Sequence, residues 1–275
     1  MNSKPKARSY TILLILLVFL VGPILWMFVT SFKDNIAIYK IPPEWIPHKP
    51  TISNYLNIFK DKLFMTYYFN NFITAGLTTL FTIIISILAG YSFSRFKFKG
   101  SQILIMAFLS VSIFPVVGII TALYSTFKNV GLLNTRTAVI LTLTAANVPF
   151  CMWLMKGFFD DIPRALEEAA YIDGCGRLST LFKVILPLCS PGILAIGLYT
   201  FLIAWDDYLY CLTLITDDKI RTLSNGISMR YLGELSYDWG NVMTVSVMAS
   251  IPLLILFIFL QKYMIQGLTA GSVKG

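Results

Sequence analysis

The organisation of the chain is decided by residues 160–191, which read DDIPRALEEAAYIDGCGRLSTLFKVILPLCSP. This stretch is charged and helix-forming, and it interrupts an otherwise apolar sequence. Asp160 and Asp161 are suited to cap a helix that begins at Pro163, because a first turn leaves its N–H groups unbonded and proline has none. Gly174 is placed to end that helix in a left-handed conformation. The pattern predicts a short helix in a polar loop between membrane spans.

One face of this predicted helix carries small or apolar side chains at positions i, i+3, i+4 and i+7, namely Leu166, Ala169, Ala170 and Asp173. Alanine allows another backbone to approach closely, so the face suits docking into a groove of a partner protein. An amphipathic loop with no partner would show the same spacing. Further along, Pro187 and Pro191 predict a bend into the next span.

Lipid is the solvent that the composition predicts. Of the 275 residues, 56% are hydrophobic and 13% are charged, a balance that is rare in soluble domains. A helix needs about 20 apolar residues to cross a bilayer core. Six stretches meet or approach this length, at about 10–31, 71–94, 103–127, 137–157, 185–205 and 241–261. Six spans place both termini on the same side of the membrane.

The net charge of +8 is explained by basic residues beside lipid head groups, without any nucleic acid. The densest basic clusters precede the first predicted span and follow the second; they are Lys4, Lys6 and Arg8, and Arg95, Lys97 and Lys99. Basic residues close to span ends favour the cytoplasmic side. We therefore expect a multi-pass protein with both termini in the cytoplasm.

A family resemblance is carried by the same loop. Glu168-Ala169-Ala170 followed by Asp173-Gly174, Gly176 and Ile185-Leu186-Pro187 resembles the EAA loop of ABC-importer permeases. In that family the loop is a coupling helix seated in a cleft of the cytoplasmic ATPase. The resemblance therefore implies a coupling loop at 160–183 and a set of coupling residues, which are Glu168, Ala169, Ala170, Asp173, Gly174, Gly176 and Pro187.

Two further segments extend the resemblance. Residues 261–275 are similar to the ending of maltose-type permeases, which implies that Gly267 and Gly271 also take part in coupling. Trp205-Asp206-Asp207-Tyr208 is similar to the W-N-[DE]-F element of carbohydrate-importer permeases, with Asp206 where that family often has asparagine. From the residues alone, a tryptophan beside two carboxylates predicts an outer interface where the acids reach water.

Apart from Lys156 at the end of the fourth, the six predicted spans contain no charged side chain, and this bears on the transport class. Buried ionisable groups are typical of ion-coupled carriers, so their absence favours a neutral solute and an energy source outside the spans. Hydroxyl, amide and aromatic groups suit a sugar, although single ones more often bond to neighbouring helices. The candidate residues of a substrate pathway are Asn147, Thr144, Tyr199 and Trp205.

Catalytic and metal sites are not indicated. His48 is the single histidine and lies in the loop after the first predicted span, which argues against a Ser-His-Asp or Cys-His arrangement and against a histidine-based metal site. The four cysteines have no C-x-x-C spacing and are interpreted as small apolar core residues. Glu167 and Glu168 are interpreted as a carboxylate pair on a solvated helix. Because no phosphate-loop motif occurs, we expect this chain to bind no cofactor, and ATP with Mg²⁺ to be used by another chain.

Together these features predict an all-α integral membrane protein of six transmembrane helices, with the type I permease fold of ABC importers and one domain over 1–275. The resemblance implies a sugar or related neutral polar solute, the cytoplasmic membrane of a prokaryote, and a heterodimer with a homologous permease. It also implies two ATPase subunits and an extracytoplasmic solute-binding protein. An ion-gradient-coupled secondary transporter or channel is the alternative, and a membrane-embedded enzyme lacks any catalytic constellation.

Overall fold

The structure is a computed structural model that describes residues 7–231 and 238–270, with side chains described for 10–231 and 238–261. Within these residues the regular elements are all helical. In chain order they are α1 (Ala7–Ser31), α2 (Asn35–Ile38), α3 (Ser53–Lys60), α4 (Lys62–Arg95), α5 (Ser101–Val111), α6 (Val116–Asn129), α7 (Arg136–Asp160), α8 (Ala165–Ile172), α9 (Arg177–Thr180), a π-helical turn (Leu181–Ile185), α10 (Leu186–Leu188), α11 (Ser190–Trp205), α12 (Leu209–Leu214), a 3₁₀ turn (Asp218–Ile220), α13 (Leu223–Tyr231) and α14 (Trp239–Ala270).

Four helices are long and apolar enough to cross a membrane by themselves, namely α1, α4, α7 and α14. Two of the predicted spans are instead pairs of helices with a sharp bend between them. The axes of α5 and α6 meet at 92°, and those of Arg177–Leu188 and α11 meet at 79°. If each bent pair is one span, the number of spans in the described chain rises to six.

Proline accounts for both bends. Pro115 lies just before α6, where its missing N–H leaves a backbone carbonyl of the preceding turn without a helical partner. Pro187 and Pro191 flank Cys189, at which α10 ends and α11 begins. The predicted bend before the span at 185–205 is therefore present in the structure.

The chain folds into two compact units. The first comprises residues 1–65 and 226–252. In this unit, the side-chain amide of Asn54 in α3 donates hydrogen bonds to the backbone carbonyls of Ser31, at 3.0 Å, and Lys33, at 2.9 Å. These bonds hold α3 against the end of α1. Asp61 accepts hydrogen bonds from the backbone N–H groups of Leu63 and Phe64 and so caps α4. This cap explains why α4 begins at Lys62, before the apolar span that hydropathy locates at 71–94.

The second unit comprises residues 66–225 and 253–275. Its core joins α4, α7 and the helices around Cys189 through buried side chains, namely Ile87, Tyr91, Cys151, Met155, Phe159, Leu181, Ile185, Cys189 and Ile196. Helices α4 and α7 approach closely at Gly90, where an added Cβ would lie 3.0 Å from the Lys156 backbone nitrogen. The polar loop of residues 160–183 extends from this core.

Candidate functional site

The polar loop of residues 160–183 begins later than expected. Helix α7 runs through Asp160, and α8 starts at Ala165 without a side-chain cap. Asp160 accepts a hydrogen bond from the Ser94 hydroxyl at 2.6 Å and pairs with the Lys156 ammonium. The prediction that Asp160 caps the next helix is therefore wrong, because its carboxylate is held by groups on α4 and α7.

Helix α8 ends where the sequence predicts, just before Gly174. Gly174 has a φ of +85°, in the left-handed region. Its N–H donates to the Tyr171 carbonyl at 3.1 Å, and the N–H of Cys175 donates to the Ala170 carbonyl at 2.9 Å. These two bonds form the Schellman motif that satisfies the last carbonyls of a helix. The predicted stop at Gly174 is confirmed.

Glu167 anchors α8 to the end of α4. Its carboxylate accepts a hydrogen bond from the Tyr91 hydroxyl at 3.0 Å and forms an ion pair with Arg95. Both side chains of this pair are only 8% exposed. The interpretation of Glu167 as half of a solvated carboxylate pair is therefore wrong, whereas its neighbour Glu168 is exposed as expected.

The remaining donors of Arg95 extend this anchor. Its two terminal nitrogens donate to the Ser94 hydroxyl and to the Ile162 carbonyl, each at 3.1 Å. Arg164, just before α8, donates in turn to the Ser94 carbonyl at 3.2 Å. The guanidinium of Arg95 thus holds the loop before α8 as well as the helix itself. Since Ser94 also bonds to Asp160, one connected network joins α4, α7 and α8.

The exposed face of α8 differs from the predicted one. Ala170 lies inward at 6% exposure, on the same side as Glu167. The outward side carries Ala165, Glu168, Ala169 and Ile172, and Ile172 is 87% exposed. The predicted docking face is thus rotated, and Ala170 does not belong to it. The reason is that the Glu167 anchor, rather than the apolar periodicity, sets the orientation of the helix.

A cleft of about 190 Å³ opens beside the anchor. Its walls combine the buried ion pair with side chains of both charges, namely Tyr91, Arg95, Phe96, Arg164, Glu167, Glu168, Tyr171 and Arg177. The guanidinium of Arg177 lies over the Phe96 ring, 5.5 Å from its centroid. The cleft offers a mixed-charge surface next to exposed apolar side chains, which is suited to contact with another protein rather than to acid–base chemistry.

Three other predicted coupling residues, Asp173, Gly176 and Pro187, are not among the residues that line the cleft. Gly176 precedes α9 with an ordinary φ of −75°, and Pro187 is exposed within α10. Asp173 is exposed directly before the Gly174 turn. Gly267 belongs to α14, in a part where side chains are not described, and Gly271 lies outside the described residues.

Three of the predicted pathway residues are buried in the second unit, and the fourth, Tyr199, is half-buried there. Asn147, 4% exposed, donates from its amide to the Leu143 carbonyl at 2.8 Å. Thr144 has a buried hydroxyl that lacks a hydrogen-bond partner within the described chain. Tyr199 packs on the Phe150 ring at a centroid distance of 4.8 Å. None of these side chains lines the cleft beside the Arg95–Glu167 pair, and their role stays a prediction.

Trp205 and Asp207 do not face water. Trp205 is 3% exposed and packs against other aromatic rings, with the Phe72 centroid at 4.7 Å. Asp207 accepts hydrogen bonds from the N–H groups of Tyr210 and Cys211, which begin α12. Burial raises the pKa of Asp207 to about 6, although these two N–H groups act to lower it. The prediction that both acids reach water is therefore wrong for Asp207, because the start of α12 covers its carboxylate, whereas Asp206 is exposed.

The anchor on α4 was missed by pattern reasoning. Tyr91 and Arg95 lie at the end of α4, four residues apart on one helical face, but their partner Glu167 follows more than seventy positions later. The available signal was an arginine directly after an apolar span, since a charged side chain that is buried at the end of a span requires a partner of opposite charge.

No group of three metal-ligating side chains occurs among the described residues.

Comparison with known proteins identifies a family for this chain. Residues 82–270 match the model of a family described as the binding-protein-dependent transport system inner membrane component. A sulfoquinovosyl glycerol transport system permease protein of Agrobacterium fabrum is 39% identical, covering 95% of this chain and 91% of the relative. A trehalose/maltose transport system permease protein of Thermococcus litoralis is 35% identical, covering 92% and 91%.

Among solved structures, a bacterial ABC transporter involved in the import of the acidic polysaccharide alginate contains a similar chain. The match has a TM-score of 0.84 at 22% identity, and it covers 95% of this chain and 99% of the other. This likeness supports the fold. The chain therefore belongs to the family of binding-protein-dependent transport system inner membrane components, and it is a multi-pass permease subunit of an ATP-driven importer.

Proposed function

We propose that this permease moves a saccharide or a related neutral polar solute, and that its loop of residues 160–183 couples transport to a separate ATPase. The observation that carries the coupling proposal is the buried pair of Arg95 and Glu167. Through it, α8 is attached to the end of the long helix α4 while its outward face remains open for a partner.

The mechanism follows from this attachment. A helix of eight residues is marginal by itself, so its position depends on tertiary contacts. The Arg95–Glu167 pair and the Ser94–Asp160 bond connect α8 with α4 and α7 at once. Movement of an ATPase groove around α8 would therefore be transmitted to two membrane helices as a rigid-body displacement. The permease contributes no bond-making chemistry to this cycle.

The outward face of α8 offers the contact surface. Ala165 and Ala169 allow close backbone approach, and Ile172 and Leu178 expose apolar area that a partner would bury. Glu168 lies beside them and can pair with a basic group of the partner. Gly267 and Gly271 belong to the proposed coupling set through the family resemblance of the tail.

The proposed assembly contains a homologous permease as the second half of a heterodimer, two ATPase subunits that use ATP and Mg²⁺, and an extracytoplasmic solute-binding protein. The proposed location is the cytoplasmic membrane of a prokaryote, with both termini in the cytoplasm. The basic clusters that include Lys97 and Lys99 support this orientation.

A saccharide is supported by the names of the relatives and by the spans themselves. The relatives described above transport trehalose or maltose and sulfoquinovosyl glycerol. Asn147 supplies a buried amide, and Thr144 supplies a buried hydroxyl that has no hydrogen-bond partner within the described chain. These groups, with Tyr199 and Trp205, are the proposed polar and aromatic contacts of the solute pathway.

The test is solute uptake by vesicles that contain the complete importer. Radiolabelled disaccharides and their monosaccharides are compared with ATP present or depleted, and with an uncoupler added. The proposal expects uptake of at least one saccharide that needs ATP and the binding protein and survives the uncoupler. Uptake that collapses with the uncoupler while ATP is maintained would contradict it, as would ATP-dependent uptake restricted to amino acids or peptides.

A further inference from the structure

The first compact unit contains a cavity of about 340 Å³ that the transport function does not explain. It lies where α1 ends and α14 begins. Three aromatic rings line it, from Trp26, Tyr39 and Trp239, together with the side chains of Thr30 and Lys33. Tyr39 is 60% exposed, so the cavity opens to the surface at this ring.

Two buried side chains that line the cavity, Thr30 and Lys33, carry polar groups with unused hydrogen-bonding capacity within the described chain. Thr30 is 2% exposed, and its hydroxyl has no hydrogen-bond partner within the described chain. Lys33 is 1% exposed; its ammonium donates to the Glu44 carbonyl at 2.6 Å and lies 3.9 Å from the centroid of the Trp26 ring. An ammonium has three N–H donors, so Lys33 retains capacity for another acceptor.

The charge of Lys33 is also incompletely compensated. None of the ion pairs between described residues includes Lys33, and the Glu44 carboxylate pairs with Lys40 at 2.7 Å instead. Burial lowers the pKa of the Lys33 ammonium, and the more distant Glu44 charge opposes this only in part. A buried cation of this kind favours an anionic ligand.

An exposed apolar surface continues from the cavity along α1. Phe19 and Ile15 lie seven and eleven residues before Trp26 and so share its helical face. They are 76% and 63% exposed, and a Cβ added at Gly22 between them and Trp26 would meet open space. At 1.5 Å per residue this strip is about 16 Å long, which is comparable to a lipid acyl chain.

We propose that the cavity binds the head group of an anionic membrane phospholipid, with the Lys33 ammonium and the Thr30 hydroxyl facing the phosphate oxygens and an acyl chain lying along α1. Lys33 lies two residues beyond the end of α1, at the depth where head groups meet a spanning helix, and tryptophan prefers the same depth. A soluble phosphate would occupy only the polar end and leave the strip of Ile15 and Phe19 uncovered.

The experiment uses the full-length chain, purified with its co-purifying subunits into nanodiscs of phosphatidylcholine and phosphatidylglycerol. Lipids retained after transfer to detergent are counted by native mass spectrometry. We expect wild type to retain phosphatidylglycerol preferentially, and Lys33→Gln to reduce this retention about tenfold, the usual worth of one charge-assisted hydrogen bond. Lys49→Gln, an exposed lysine of the same segment, is the matched control and should retain lipid as wild type does.

Three results would overturn the proposal. They are equal retention of the two lipids by wild type, equal retention by Lys33→Gln and Lys49→Gln, and displacement of phosphatidylglycerol by inorganic phosphate, which would indicate a soluble ligand. If Lys33→Gln does not assemble, Thr30→Val decides the matter, since it removes the hydroxyl at nearly constant volume. Unchanged phosphatidylglycerol retention in Thr30→Val would then contradict the assignment.

Discussion

Arg95 and Glu167 form an ion pair across 72 positions of sequence, with both side chains almost fully buried. Arg95 is the last residue of α4, and Glu167 lies in the first turn of the short helix α8. This contact determines which side of α8 faces inward. It therefore also determines which side chains of the loop are available to a partner protein.

Glu167→Gln is expected to release α8 while membrane insertion persists. Removing one partner of a buried ion pair leaves the other charge uncompensated and typically costs about 3–5 kcal/mol. Binding-protein-stimulated ATP hydrolysis by the reconstituted importer should fall strongly. Glu168→Gln is the matched control, because Glu168 is adjacent but exposed. Equal hydrolysis rates in the two variants would show that the buried pair does not position the loop.

Gly174→Val is expected to lower coupling through backbone strain alone. A valine at a φ of +85° costs about 1–3 kcal/mol, whereas a Cβ at this position would meet open space. Gly176→Val is the control, since Gly176 has equally open surroundings and a φ of −75° that valine adopts readily. Thermal melting and coupled ATP hydrolysis should both fall only in the first variant. Equal losses in both variants would refute the role of the left-handed turn.

Ala169→Leu and Ala170→Leu are expected to fail in different ways. Ala170 is buried, so leucine there overpacks the chain and should lower its own stability by about 1–3 kcal/mol. Ala169 is exposed, so leucine there should leave the melting temperature unchanged and reduce co-purification of the ATPase. The comparison measures melting and co-purification for both variants. Normal ATPase recovery with Ala169→Leu would remove that position from the docking surface.

Asp207 is expected to make stability depend on pH. Burial raises its pKa from 3.8 to about 6, so the folded chain holds this proton more tightly than the unfolded chain. The stabilisation is complete below about pH 4, is lost as the pH rises through about 6, and amounts to about 3 kcal/mol. Asp207→Asn removes the titration, so its melting temperature should rise relative to wild type between those pH values.

Asp206→Asn controls for the charge beside Asp207, because Asp206 is exposed. Its melting temperature should stay close to that of wild type across the same pH range, because the Asp206 charge is the smallest of the causes that raise the pKa of Asp207. If Asp207→Asn also follows wild type, the buried carboxylate does not titrate with a raised pKa.

The membrane class and the helix stop at Gly174 could be predicted from sequence because each depends on local chemistry. The length of an apolar run can be compared directly with the thickness of a bilayer. A glycine that adopts the left-handed conformation, as Gly174 does, is a common local signal for the end of a helix. The break before α6 also has a local cause, because Pro115 removes a helical hydrogen bond, although the 92° angle between α5 and α6 depends on how the two helices pack.

The sequence by itself determined that a charged helix interrupts the spans, and the resemblance of its motif indicated the family. Only the tertiary structure decided that Glu167 faces inward and Glu168 outward. Two adjacent glutamates have the same helix propensity, and an eight-residue helix is too short for its periodicity to select a face. The choice is made by Tyr91 and Arg95, whose distance from Glu167 is known only once α4 and α8 are packed, because a buried carboxylate is stable only beside its partners.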